Sequence, residues 1–140
     1  MVRVIMGAKG SGKTKQMVEL INYAAENEIG SVVCLELGRK MMFDVSRNVR
    51  LVECSEFSFD NFDFLRGFVC GLYASNYDLT HVFIDSLCKI VPSEPDSPEV
   101  EAFLAWLNQF GEKNSIKFTI TISADVARAT EAMKQYFKAE

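Results

Sequence analysis

The chain has 140 residues, of which 49% are apolar and 24% are charged, proportions typical of one globular domain with a sizeable core. Its 15 basic and 19 acidic residues give a net charge of −4, which argues against nucleic acid as a partner, because a long phosphate footprint needs a basic patch. No apolar run approaches the roughly 20 residues that span a bilayer, and the N-terminal run Val2–Met6 is too short for a signal peptide. We therefore expect a single cytoplasmic domain over residues 1–140, without a membrane partner.

Short apolar runs alternate with helical patterns along the chain. The predicted strands are Val2–Met6, Ser31–Leu37, Val49–Glu53, Thr80–Asp85 and Ile116–Ser123. The predicted helices cover Lys13–Asn27, Asp60–Ser75, a segment that begins near Pro98, and a segment from Asp125 to near the C-terminus. This alternation predicts an α/β fold with three layers and a mainly parallel five-stranded sheet, whose ligands bind at the carboxyl ends of the strands.

The metal-ligand residues lack the spacing of a zinc site. The four cysteines are Cys34, Cys54, Cys70 and Cys88, with no CxxC pair. We expect them to be reduced and mostly buried. The only histidine, His81, begins a predicted strand and is expected to be a structural residue.

A glycine-rich segment follows the first strand and fits the phosphate-binding pattern GxxxxGK[ST] at every fixed position. It consists of Gly7, Ala8, Lys9, Gly10, Ser11, Gly12, Lys13 and Thr14. Glycines allow backbone N–H groups to surround a polyphosphate, and the N-terminus of the following helix adds partial positive charge. In this pattern Lys13 is expected to reach the β- and γ-phosphates, and the Thr14 hydroxyl to ligate Mg²⁺.

Lys9 is a second lysine within this loop. A dimerising subgroup of P-loop proteins carries a lysine five residues before the P-loop lysine, whereas Lys9 precedes Lys13 by only four. We expect Lys9 to be an exposed side chain near the phosphates.

The fourth predicted strand ends in a carboxylate, Asp85, which is followed by Ser86. Such an aspartate would lie beside Thr14 and hold the metal, usually through water. An aspartate that only caps a turn is the alternative for this position.

The order of these features resembles the RecA-type ATPase core of the P-loop NTPases. The resemblance covers residues 2 to about 90 and rests on the glycine-rich loop, a second strand ending in Glu36, a third strand, and a strand ending in Asp85-Ser86. It implies the sheet order 3-2-4-5-1 and a catalytic role for Glu36, which would polarise the attacking water, with Glu53 as the runner-up and a loop cap as the alternative. It also suggests that Thr121 or Ser123 senses the γ-phosphate, with a helix cap as the alternative for Ser123.

The fifth strand fits this resemblance less well, and two further segments allow more than one interpretation. The fifth strand alternates between apolar and polar residues, although a central strand that is covered on both faces should be apolar throughout. The segment Phe57–Phe68 is expected to pack mainly in the core, with Phe57, Phe59 and Phe64 left over as a surface for a protein partner. Arg39 follows Glu36 and is either a solvated loop residue or a group that stabilises transition-state charge.

These observations predict an ATP-binding P-loop protein that acts as a weak or partner-activated Mg²⁺-dependent ATPase, with a protein partner or a homo-oligomer completing its activity. The choice of ATP rather than GTP as the ligand rests on the resemblance alone. One alternative is a nucleotide-binding switch that does not hydrolyse. Another is a small-molecule kinase of the nucleoside type, although such enzymes often carry a zinc-stapled lid and the chain has no CxxC pair.

Overall fold

The computed structural model describes residues 1–137 and is built around a five-stranded sheet in which every strand pairing is parallel. The strands are β1 (Val2–Gly7), β2 (Ser31–Glu36), β3 (Val49–Glu53), β4 (Leu79–Ile84) and β5 (Lys117–Ser123). Their order is β1-β5-β4-β2-β3, which reads 3-2-4-5-1 from the β3 edge. The predicted α/β class with a five-stranded parallel sheet is confirmed.

Helices lie on both faces of this sheet. They are α1 (Lys13–Asn27), α2 (Phe62–Ser75), the short α3 (Leu87–Ile90), α4 (Pro98–Asn114) and the short α5 (Glu131–Lys134), with single 3₁₀ turns at Cys54–Glu56 and Val126–Arg128. Met17 and Ile21 of α1 pack with Phe83 on one face. Leu65 of α2 and Leu104 of α4 belong to the larger core on the other face. Helices α2 and α4 thus form one layer, and α1 covers the other face of the sheet.

The start and end of α4 follow from local sequence chemistry. The Ser97 side chain accepts a hydrogen bond from the Val100 backbone N–H, and Pro98 occupies the first turn, where it costs no hydrogen bond. The helix ends at Asn114, and its C-cap residue Ser115 has a positive φ of 59°, in the left-handed region. The predicted start of this helix near Pro98 is confirmed.

The alternating strand β5 lies in the middle of the sheet, between β1 and β4. Ile120 and Ile122 belong to the core on the α2–α4 side, while Thr119 and Thr121 face the opposite side and are 5% and 1% exposed. Both hydroxyls are hydrogen-bonded to residues of β4 or the turn after it. A central strand tolerates these polar residues because each hydroxyl has a partner.

His81 is a half-buried residue at the amino-terminal end of the sheet. Its Nδ1 lies 3.2 Å from Glu28 Oε2, its Nε2 lies 2.8 Å from Thr119 Oγ1, and its ring stacks on Phe83. The same carboxylate accepts a hydrogen bond of 2.8 Å from Lys117 Nζ. His81, in β4, therefore contacts both Glu28, the C-cap residue of α1, and Thr119 of β5, as a structural residue.

The predicted continuous helix from Asp125 to near the C-terminus is wrong within the described residues. Asp125 caps the 3₁₀ turn by accepting from the Ala127 N–H, Ala129 is extended, and Thr130 caps α5 by accepting from the Met133 N–H. Asp and Thr favour such caps over helix interiors because their side chains compete for backbone donors. The part of the predicted helix beyond Phe137 lies outside the described residues.

The cysteines and the Phe57–Phe68 segment differ in part from expectation. All four cysteines are free, with Cys34 and Cys54 buried, Cys88 half-buried and Cys70 exposed. Phe57 and Phe64 are exposed, but Phe59 is 5% exposed and packs edge-on against both of them. Phe59 therefore does not belong to an exposed surface. Across residues 1–137, no helix is both long enough and apolar enough to cross a membrane.

Candidate functional site

The glycine-rich segment forms the connection between the end of β1 and the first turn of α1. Gly10 and Gly12 have φ values of 87° and 89°, which side-chain-bearing residues rarely adopt. At Gly7 a Cβ would collide with Ser11 Oγ. Gly10 and Gly12 are therefore required by their positive φ angles, and Gly7 by the Ser11 side chain that occupies the space of a Cβ.

The first turn of α1 offers unused backbone donors. Gly12 supplies no side-chain cap, and the first turn contains no acidic residue. The Ser11 N–H is already bonded to the Ala8 oxygen at 3.1 Å. The N–H groups at the start of α1, together with the helix dipole, favour an anion at this point.

Lys13 lies across this loop. It is 9% exposed, and its Nζ donates to the Ala8 backbone oxygen at 3.0 Å and approaches Ser11 Oγ at 3.5 Å. Burial lowers the pKa of Lys13, and the nearby Lys89 acts in the same direction, while Asp85 opposes both. Its ammonium group can exchange the Ala8 oxygen for an oxygen of a bound phosphate.

Asp85 follows the last residue of β4 and is 5% exposed. Its backbone N–H donates to the Leu35 oxygen at 2.9 Å, and its Oδ1 accepts a hydrogen bond of 2.8 Å from Thr121 Oγ1. The next residue, Ser86, has a positive φ of 61°, and a non-glycine residue in this region often marks a functional turn.

One cleft brings most of the predicted binding residues together. Its volume is about 360 Å³, and it is lined by Lys9, Gly10, Gly12, Lys13, Thr14, Lys40, Asp85, Ser86, Lys89 and Ser123. The predicted residues Gly7, Ala8 and Ser11 lie in the loop but do not line the cleft. Four lysines face one carboxylate here, although the whole chain carries a net charge of −4. Such a balance favours a polyanionic ligand.

Two of these lysines were missed as site residues in the sequence interpretation. Lys89 belongs to the short helix α3 and lies one helical turn after Asp85 in the sequence, a spacing that was the available signal. Lys40 comes from the loop after β2. The sequence pattern of this loop does not predict that it folds over the cleft.

The predicted catalytic carboxylate Glu36 is not among the residues that line this cleft. Glu36 is 2% exposed, its Oε1 accepts a hydrogen bond of 3.4 Å from the Met41 N–H, and it lines a second cavity of about 740 Å³ along the β3 edge. Burial raises the pKa of Glu36, and the charges of Asp85 and Glu53 add to the rise.

Glu53 and Arg39 also line the β3-edge cavity rather than the lysine-rich cleft. Glu53 Oε2 accepts hydrogen bonds from the Gly38 and Ser55 N–H groups at 2.8 and 2.9 Å. These bonds lower the pKa of Glu53. Its carboxylate caps the adjacent turns, a structural use of the charge.

A divalent cation would find two suitable oxygen groups in the cleft. The exposed Thr14 hydroxyl and the Asp85 carboxylate both line it. Within residues 1–137, no group of three His, Cys, Asp or Glu side chains could hold a metal ion. The residues therefore fit Mg²⁺ that shares its ligands with phosphate oxygens and water, since Mg²⁺ is commonly bound by one or two protein groups together with a phosphate.

No protein-family model matches the chain, and no curated protein matches it significantly.

Proposed function

We propose that this chain is a P-loop nucleoside triphosphate-binding protein with a RecA-like core. It binds ATP with Mg²⁺ through the segment Gly7–Thr14 and Asp85, and it hydrolyses ATP slowly or when a partner or a second copy completes the site. The observation that carries this proposal is that Lys13, Thr14 and Asp85 converge on a cleft beside an uncapped helix N-terminus.

Each of these residues has a distinct task in such a site. Backbone N–H groups of the glycine-rich loop bind the phosphate oxygens, and Lys13 adds a mobile positive charge. Thr14 and Asp85 hold the metal, directly or through water. Bound Mg²⁺ would neutralise charge on the transferred phosphoryl group.

A second candidate function is a nucleotide-dependent switch that binds without turnover. The specific observation in its favour is the position of Glu36, which lines the β3-edge cavity and is bonded to Met41. A carboxylate held there does not line the cleft where an attacking water would lie. Nucleotide binding with no phosphate release would favour this function.

Equilibrium binding of ATP with Mg²⁺, measured by isothermal titration calorimetry, tests the proposal. Lys13→Ala is expected to weaken binding by roughly 10- to 100-fold, the value of hydrogen bonds to a charged partner. Lys15→Ala is the matched control, because Lys15 is an exposed residue of the same helix that does not line the cleft.

The outcomes separate clearly. Tight binding that is lost in Lys13→Ala and kept in Lys15→Ala supports the proposal. Unchanged affinity in Lys13→Ala would overturn the assignment of the glycine-rich loop. Equal losses in both variants would indicate a non-specific effect of positive charge.

A further inference from the structure

The hydroxyl of Thr121 connects the carboxyl ends of β4 and β5 beneath the cleft. Its Oγ1 donates to Asp85 Oδ1 at 2.8 Å and accepts from the Ser86 N–H, also at 2.8 Å. Thr121 is 1% exposed, so water does not compete strongly for these bonds. One side chain thus contacts both the carboxylate and the turn that follows it.

The number of hydrogen-bond donors on this hydroxyl limits the contacts that Thr121 can make. A threonine hydroxyl has a single O–H donor, and that donor is spent on Asp85. Sensing of a phosphate by Thr121 would need the same proton. The half-buried Ser123, which does line the cleft, is better placed for such contact.

The bond also constrains Asp85. With Oδ1 held by Thr121, rotation of the carboxylate would break a buried hydrogen bond. No hydrogen bond from residues 1–137 reaches the second oxygen, Oδ2. Asp85 therefore presents a carboxylate with one oxygen fixed and the other available for a ligand.

Ser86 depends on the same hydroxyl. Its positive φ of 61° is unfavourable for a residue with a side chain, and its N–H bond to Thr121 helps to hold that conformation. The helix that carries Lys89 begins immediately after Ser86. The position of Lys89 at the cleft is thereby linked to β5.

We propose that Thr121 is a positioning residue that orients Asp85 for the Mg²⁺ bound with the nucleotide. This inference rests on the proposed function, since it assumes that Asp85 holds Mg²⁺ at a nucleotide site. Hydrogen-bond partners of metal ligands affect metal affinity by roughly 10- to 100-fold. Thr121 therefore acts on the metal without contacting the nucleotide.

The test compares Thr121→Val, which removes the hydroxyl at nearly constant volume, with Thr121→Ser, which keeps it. ATP affinity is measured with 5 mM Mg²⁺ and with EDTA. Thr121→Val is expected to lose roughly 10-fold or more of the Mg²⁺-dependent gain in affinity while its Mg²⁺-free affinity changes less than about twofold. Thr121→Ser is expected to retain the gain.

Asp85→Asn completes a double-mutant cycle. If Thr121 acts through Asp85, adding Thr121→Val to Asp85→Asn leaves the Mg²⁺ dependence unchanged. A wild-type Mg²⁺ dependence in Thr121→Val, or an equal loss with and without Mg²⁺, overturns the inference. Should Thr121→Val not fold, Thr121→Ala is used in the same comparison and judged by the same outcomes. Absence of ATP binding by the wild-type chain would instead contradict the proposed function.

Discussion

The Met41 backbone N–H donates to Glu36 Oε1 at 3.4 Å, and Glu36 is 2% exposed beneath the loop that follows β2. This hydrogen bond occupies one carboxylate oxygen, and Glu36 lines the β3-edge cavity rather than the lysine-rich cleft. For Glu36 to orient an attacking water, the loop over residues 37–48 would have to release it. Slow turnover by the isolated chain is therefore expected.

The first prediction concerns Glu36→Gln and phosphate release. If Glu36 becomes the general base when the loop moves, its loss is expected to slow phosphate release by roughly 100-fold, the lower range for general base catalysis. ATP affinity is expected to stay within a factor of two. The measurement is single-turnover phosphate release at saturating ATP and Mg²⁺.

Glu53→Gln is the matched control for this variant, because Glu53 ends the neighbouring strand and is bonded to Gly38 and Ser55. Its rate is expected to match the wild type. Because burial raises the pKa of Glu36, the active carboxylate form is lost as pH falls through a value above the ordinary 4.3 or so. Equal rates for Glu36→Gln and the wild type would remove Glu36 from the mechanism.

The second prediction concerns Lys89, whose charge lies near enough to Lys13 to help lower the pKa of that residue. Lys89→Ala is expected to weaken ATP binding by roughly tenfold, the loss of one hydrogen bond to a charged group. The exposed Lys113 at the end of α4 does not line the cleft and provides the control, Lys113→Ala. Equal ATP affinity in the two variants, measured by calorimetry, would show that Lys89 does not contact the phosphates.

The third prediction concerns stability at mildly acidic pH. Burial lowers the pKa of His81 from its ordinary 6.5 to about 4, although the Glu28 carboxylate partly opposes the shift. The unfolded chain therefore binds a proton at a higher pH than the native protein does. Stability from neutral His81 is complete above pH 6.5 and falls as the pH drops toward 4. Between pH 6.5 and 5 the expected loss is about 2 kcal/mol.

Urea unfolding of the wild type and of His81→Gln at several pH values measures this effect. Carboxylates that do not contact His81 titrate in both proteins, so the difference between the two curves reports His81 together with its partner Glu28, whose pKa His81 helps to lower. We expect the variant to be less stable at pH 7.5 and to lose less stability on acidification. Parallel curves for the two proteins would contradict the interpretation.

The fourth prediction compares two glycines. A Cβ at Gly30 would collide with the Asp78 backbone oxygen and the Thr80 side chain, so Gly30→Ala is expected to cost about 1–3 kcal/mol. At Gly67, inside α2, nothing outside the neighbouring residues and the helix's own backbone lies within 4 Å of the same position. Gly67→Ala is therefore expected to stabilise by about 0.5–1 kcal/mol. Thermal unfolding measures the change in stability of each variant. A change of the same sign in both would contradict the prediction.

Much of the sheet follows from the sequence because the strands are short runs rich in apolar residues that alternate with helical patterns. The strand Val49–Glu53 was predicted with the bounds that the structure has. The glycine-rich loop is also readable, because its glycines serve a local backbone geometry. These features depend on neighbours in the chain.

The remaining features depend on contacts between distant segments. The bond between Glu36 and Met41 and the approach of Lys40 and Lys89 to the cleft arise from how loops fold over the sheet. The helix predicted after Asp125 fails because the caps at Asp125 and Thr130 outweigh a weak apolar periodicity. A hydrophobic pattern within one segment predicts neither the folding of the loops over the sheet nor the dominance of these caps.

The row of hydroxyls on β5 has a consequence for the dimensions of the cleft. A slip of β5 by one residue would present Ile120 and Ile122 to the partners that Thr119 and Thr121 now bond, on β4 and in the turn after it. The glycine-rich loop leaves β1, and Asp85 leaves β4, on either side of this strand. Their separation is therefore set by two inter-strand spacings, roughly 9.6 Å. The distance between the glycine-rich loop and Asp85 is thus set by the hydrogen-bonded spacing of the strands. Substitutions in the covering helices are expected to leave it unchanged.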